Sequence, residues 1–256
     1  MIKMEKNKRG QVTLFIIIAI VIVVIGVLIF AFYPKLKATT GFSVENPERY
    51  LQNCLENDLQ QITKTISEQG GELEPTNYYL YEDQKLNYLC YTNQNYKLCT
   101  VQKPFLQNSI EKDITENISL KANECWNSLI EKYESKSYSV SAKKGTLKTE
   151  IFPSTTVLRF LDYEISVTKN SIETHKSFNV ILNNNLYELL ETATNIVEWE
   201  SSIGDADMWV YMMFFPDLKA EKIKQTDEST VYILTNKKTK EKFQFASRSL
   251  AFPPGI

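Results

Sequence analysis

The sequence predicts an α+β protein held in a membrane by one N-terminal helix, and three observations predict it. Leu14–Phe32, LFIIIAIVIVVIGVLIFAF, runs for nineteen positions without a charge or a side-chain amide. Beyond it, three stretches repeat apolar residues at helical spacing while several others alternate with a period of two. All four cysteines follow the apolar run, on the side where disulfides form once a chain has crossed a membrane.

At about 1.5 Å per residue the apolar run spans roughly 28 Å as a helix, close to the thickness of a bilayer's hydrocarbon core. Isoleucine and valine are modest helix formers, but in lipid the backbone must satisfy its own hydrogen bonds, and a helix is the local solution. The leading MIKMEKNKRG carries Lys3, Lys6, Lys8 and Arg9 against Glu5, whereas only Lys35 and Lys37 follow the interface residues Tyr33 and Pro34. That asymmetry places the N-terminus in the cytoplasm and the C-terminal domain outside the cell. The run exceeds the about 7–15 residues of a cleaved signal, and only Ala38 hints at a cleavage site. The chain thus divides into a basic segment (1–10), a transmembrane helix (11–34), a cysteine-containing helical and hairpin region (35–136) and an antiparallel sheet with a packed helix (137–256). The last two are compatible with one domain.

The phrase KRGQVTLF, at residues 8–15, resembles the class III signal of archaeal type IV pilin-like proteins. That resemblance implies cleavage between Gly10 and Gln11, with the apolar helix retained on the mature chain. Pro34 is similar to the helix-kinking proline of many pilins, while Phe15 stands where many carry a subunit-aligning glutamate. The resemblance covers about residues 8–34 and implies the bilayer, copies of the chain or other surface proteins as partners. An ordinary single-pass anchor with the same flank is the alternative.

The 256 residues carry a net charge of −2, and the first ten contribute +3, so the remainder stands at −5. No basic run is present to bind nucleic acid. No phosphate loop, metal cluster or cofactor motif appears, and no cofactor is expected. Cys54, Cys90, Cys99 and Cys125 are spaced by 36, 9 and 26, unlike zinc-binding patterns, and the chain's one histidine is His175. Disulfides follow. The stretch LNYLCYTNQNYKLC folds back at Thr92–Tyr96 and sets Cys90 opposite Cys99, which leaves Cys54 for Cys125.

After a polar connector, Asn46–Pro47 starts a helix whose stripe Leu51, Leu55, Leu59, Ile62 and Ile66 ends at Gly70–Gly71. Six tyrosines follow (Tyr78, Tyr79, Tyr81, Tyr88, Tyr91 and Tyr96), either as strand residues or as a stacking surface for a ligand such as a sugar. A second helix is expected over Ile110–Ser135, with Ala122, Cys125, Trp126, Leu129, Ile130 and Tyr133 on one face; it carries the glycosylation acceptor sequence at Asn117. Strands are expected over Tyr138–Ala142 and Thr146–Phe152, as a hairpin turning at Lys143–Gly145. Val157–Val167 and Ile172–Val180 read as a second hairpin, with His175 a surface strand residue.

Leu182–Glu200 reads as a third helix, running into an acidic loop with Glu198, Glu200, Asp205 and Asp207. Those acids do not match an EF-hand, so a solvated loop is expected rather than a calcium site. Three closing strands, Ala220–Gln225, Ser229–Thr235 and Glu241–Ser249, lead to FPPGI. No nucleophile motif or catalytic dyad is legible, which points to a non-enzymatic surface protein in adhesion or assembly. The alternatives are an anchored ligand- or carbohydrate-binding sensor using the tyrosines, and a surface hydrolase using a pair of the loop's acids.

Overall fold

The computed structural model describes residues 46–169 and 171–249, which form one compact unit of four helices and two sheets. The predicted span Leu14–Phe32, the Gly10–Gln11 pair and the closing FPPGI lie outside the described residues. No helix among the described residues is long and apolar enough to cross a membrane.

Helix α1 (Pro47–Glu68) begins where the sequence places it: the Asn46 side chain accepts from the Arg49 N–H at 3.0 Å and Pro47 occupies the first turn. It ends in a Schellman arrangement, with Gly70 at φ 77° and the Gly71 N–H reaching back to the Ile66 carbonyl at 2.8 Å. Leu51, Leu55, Leu59 and Ile66 are fully buried, while Ile62 sits at the margin. Helix α2 (Leu106–Ser135) starts four residues earlier than the apolar face suggests and buries Ile110, Ile114 and Ile118 as well. The two helices run antiparallel: Tyr50 of α1 lies 4.6 Å from Lys132 near the end of α2, Gly71 abuts Leu106 at its start, and the Cys54–Cys125 disulfide joins them between.

The first sheet contains β4 (Ser139–Lys143), β5 (Thr146–Phe152), β6 (Thr155–Thr168) and β7 (Ile172–Asn183). β6 and β7 form the expected hairpin, but β4 and β5 do not pair with each other. Both run antiparallel to the same edge of β6, one after the other, so Lys143–Gly145 is a break in an edge rather than a hairpin turn. The reason is local. β6 bulges at Leu161–Tyr163, with Asp162 at φ 59°, and a Cβ at Gly145 would stand 1.9 Å from the Leu161 carbonyl oxygen. Only a glycine lets the backbones approach so closely. Trp126 of α2 packs among Phe160, Tyr163 and Phe178 of this sheet, with ring centroids 4.8–6.4 Å apart.

Helix side chains stand in for missing strands at both edges of this sheet. On β7, the Gln52 amide accepts from the Ile181 N–H and donates to the Ile181 carbonyl, each at 2.8 Å. On β5, Glu111 and Thr115 accept from the N–H groups of Ile151 and Thr149 at 2.9 Å, and Gln107 donates to the Ile151 carbonyl at 3.0 Å. Edges satisfied in this way offer little to an approaching strand.

The second sheet has the order β1 (Tyr78–Tyr81), β2 (Gln84–Tyr91), β10 (Lys242–Arg248), β9 (Thr230–Asn236), β8 (Leu218–Lys224), with β3 (Thr100–Val101) also on β2. The sequence reading of a single antiparallel sheet is therefore replaced by two sheets, and β2 runs parallel to β10. Helix α3 (Leu186–Ser202) packs on this second sheet through β2, β3, β9 and β10. It starts later than expected because Ile181, Leu182 and Asn183 remain in β7, paired with Val157, Thr156 and Thr155. A short helix, α4 (Met208–Phe214), follows where the sequence reading places no element.

Candidate functional site

The six tyrosines do not form an open platform. β1 and β2 meet in a two-residue turn, with Glu82 and Asp83 both at positive φ. Flat sheets hold strands about 4.8 Å apart, so β1 and β8 would lie about 19 Å apart across four spacings. Yet the Tyr79 hydroxyl donates to Gln225, the residue after β8, at 3.2 Å. The sheet is therefore strongly curled. Inside the curl, Tyr79, Tyr81 and Tyr91 pack against a buried cluster of Leu86, Tyr88, Val231 and Ala246. The Tyr88 hydroxyl meets Ser229 at 2.8 Å, and burial pushes its phenol above the ordinary range. Tyr78 is partly exposed beside the Lys85 ammonium at 4.8 Å, and Tyr96 is 62% exposed in the β2–β3 connection. Four of the six tyrosines thus belong to a satellite core, with two rings left outside it.

The four acids do not gather at one point, although two of them, Glu200 and Asp205, share Lys222. Glu200, 2% exposed at the end of α3, accepts from the Tyr232 hydroxyl, from the Ala206 N–H at 2.9 Å and from the Ser247 hydroxyl at 3.1 Å. Lys222 stands 3.8 Å from the same carboxylate and 2.5 Å from Asp205. Burial opposes ionisation of Asp205, but the bond and charge of Lys222, with help from Lys224, outweigh it and hold the carboxyl below its usual value. Burial and the adjacent Glu200 charge push the Tyr232 phenol far above its ordinary value, so it acts as a permanent donor. Asp207 caps α4 through the Trp209 N–H at 2.9 Å. Glu198 lines a groove of about 200 Å³ with Leu89, Val101 and Val197. Among the described residues, no group of three or more His, Cys, Asp or Glu side chains is placed to hold a metal ion. The expected solvated loop is thus corrected at its centre: Glu200 is a buried anchor that fastens the end of α3 to β8, β9 and β10.

Both cysteine pairs are bonded, Cys54 to Cys125 and Cys90 to Cys99, and the second closes β2 on β3 beside Ser247. Asn117 is exposed on α2, its amide donating to the Asp113 carbonyl at 2.8 Å. His175 is half-buried on β7 opposite Ile165.

The surface that the sequence reading missed is built on α4. Trp209, Val210, Met213 and Phe214 are exposed, Trp209 by 76% and Phe214 by 69%. Trp199 and Ile203, at the end of α3, are exposed as well, and the Ala206 N–H, two residues before α4, donates to Glu200 in the last turn of α3 at 2.9 Å, so the two helix ends adjoin. Phe214 and Phe215 also wall a groove of about 510 Å³, floored by Leu189, Thr192 and Leu218. The signal was present in MWVYMMFF, but that run has no period to give a helix away.

Fold and site together define a two-sheet α+β domain, doubly disulfide-bonded, with a buried polar anchor and one apolar outer face. No protein-family model, curated protein or solved structure matches the chain.

Proposed function

We propose that this chain is a membrane-anchored protein of the cell surface, pilin-like in its N-terminal segment and without catalytic activity, whose outer α+β domain serves adhesion or envelope assembly. The observation that carries this reading is the pairing of all four cysteines. Disulfides persist in oxidising compartments, and an uncleaved apolar helix with a basic leading flank is what carries a domain there. The absence of enzymatic function is supported by the fate of the acids, since Glu200, Asp205 and Asp207 are each engaged by groups of the fold itself.

The test is mass spectrometry of the N-terminal peptide after the protein is purified from alkali-washed native membranes. The expected result is a membrane-retained chain beginning at Gln11. A chain beginning at Met1 or Ile2 rules out pilin-type processing and leaves a plain anchor. Release by the alkaline wash rules out the anchor itself.

A further inference from the structure

Helix α4 turns its apolar side outward. Trp209 and Met213 lie four residues apart, as do Val210 and Phe214, so the four form one stripe facing solvent. The helix is oriented this way by its other side: Met208 is buried, and Asp207 caps the first turn. Buried aromatic side chains each remove about 150–250 Å² from water. Scaled by their exposures, Trp199, Trp209, Phe214 and Phe215 alone present about 400–600 Å². With Val210, Met213 and Ile203 the surface approaches the roughly 800 Å² that each partner contributes to a standard protein interface. It also exceeds the apolar patch of about 300–600 Å² that an ordinary monomer leaves exposed.

Charge separates the two classes of occupant. A helix that lies in a bilayer interface carries lysine or arginine on its polar side. MWVYMMF has neither, and Asp205 and Asp207 precede it. The nearby lysines are already engaged: Lys222 and Lys224 by Asp205, Lys237 by the Pro216 carbonyl, and Lys238 by Asp217. These four lysines stand among the four carboxylates of Glu200, Asp205, Asp207 and Asp217, so among the described residues beside α4 no surplus of positive charge remains to hold an anionic membrane surface.

Shape then favours a second copy. The projecting stripe and the 510 Å³ groove share a wall at Phe214 and Phe215, so knob and hole sit side by side on one face. A two-fold pairing needs that arrangement, because each copy must present both halves of the contact. We propose that two copies of this chain pair through α4, the Trp209–Phe214 stripe of each lying along the Phe215-walled groove of the other. The pairing does not depend on how the chain is anchored.

The experiment measures the protein mass of the full chain in detergent micelles by light scattering, with detergent subtracted by combined absorbance and refractive index. The wild type is expected at two copies. Trp209→Ser/Phe214→Ser is expected at one copy, as is Asn195→Trp, which fills the groove from its rim and leaves α4 intact. Leu120→Ser, which removes an equally exposed apolar residue from α2, is expected to stay at two. Far-UV circular dichroism and intact disulfides certify the fold of each variant. A one-copy wild type overturns the proposal, and so do two-copy Trp209→Ser/Phe214→Ser and Asn195→Trp proteins. A one-copy wild type that floats with anionic liposomes and loses that binding on Trp209→Ser assigns the face to lipid instead.

Discussion

Replacing Glu200 with alanine isolates the anchor on which the second half of the domain depends. The carboxylate is the acceptor for three donors, the Tyr232 and Ser247 hydroxyls and the Ala206 N–H, and those residues are at most 2% exposed. Each buried donor left without an acceptor costs about 1–3 kcal/mol. Lys222, mostly shielded from water, also loses one of its two acids. Breaking a buried charge arrangement by removing one member costs about 3–5 kcal/mol, which agrees with the sum over donors at its lower end. For a domain of this size, a kcal/mol corresponds to about 2–4 °C in Tm, so Glu200→Ala is expected to melt about 6–20 °C lower. Glu200→Gln keeps one acceptor oxygen but sets an NH₂ against the remaining donors, and it is expected to fall between the two. Urea unfolding of the full chain in detergent, followed by tryptophan fluorescence, supplies the free energies. A loss below about 1 kcal/mol for Glu200→Ala would refute the reasoning, since a carboxylate that costs so little to remove is not holding three buried donors.

Removing each disulfide separately tests the tether. The bridges close loops of 71 and 9 residues, so chain entropy predicts losses of about 4.4 kcal/mol for Cys54→Ala/Cys125→Ala and about 2.6 kcal/mol for Cys90→Ala/Cys99→Ala. Urea unfolding without reductant is expected to rank them in that order, and an inverted ranking would contradict it. Gly145→Ala puts a methyl group into the Leu161 carbonyl and is expected to cost more than about 2 kcal/mol in the same assay; a neutral outcome would contradict the close crossing. Acid titration probes Asp205 and Glu150. Both carboxyls are held below their usual values, Glu150 chiefly by its hydrogen bond with Lys148 and further by Arg159. Their contribution is therefore complete above the unfolded carboxyl pKa of about 4 and is lost as pH falls through the lower folded values. Asp205→Asn and Glu150→Gln are expected to flatten the decline of stability below about pH 4, as read by circular dichroism during acid unfolding. An unchanged slope would contradict the pairing.

Much of the fold was legible because local chemistry and tertiary need agree. The cap at Asn46–Pro47, the Gly70–Gly71 stop and the stripes of α1 and α2 are each written within a few residues, and the structure uses them with only Ile62 and Ile130 left at the margin. The three closing strands were equally plain, each expected within a few residues of the bounds of β8, β9 and β10. The misreadings occur where long-range pairing decides. Lys143–Gly145 has the composition of a turn, but the partner of both flanking strands is β6, and the bulge at Asp162 sets the spacing. Leu182 suits a helix or a strand, and its pairing with Thr156 settles the matter. At the candidate sites, Glu200 could not be told from its acidic neighbours, because burial depends on Tyr232 and Ser247, 32 and 47 residues away. The cluster of tyrosines was visible, but the curl that turns four of them inward was not. The α4 face was hidden for the opposite reason: an apolar octapeptide looks like core, and no sequence pattern says that five of its eight residues stay outside.

The central claim, that a disulfide-bonded domain stands outside the cell on an N-terminal anchor, is tested most directly by protease treatment of intact source cells. The chain is followed by antibodies to the N-terminal segment and to the domain. The account predicts that the domain is removed from intact cells while a short N-terminal fragment stays with the membrane. A chain that remains whole until the membrane is permeabilised would contradict it.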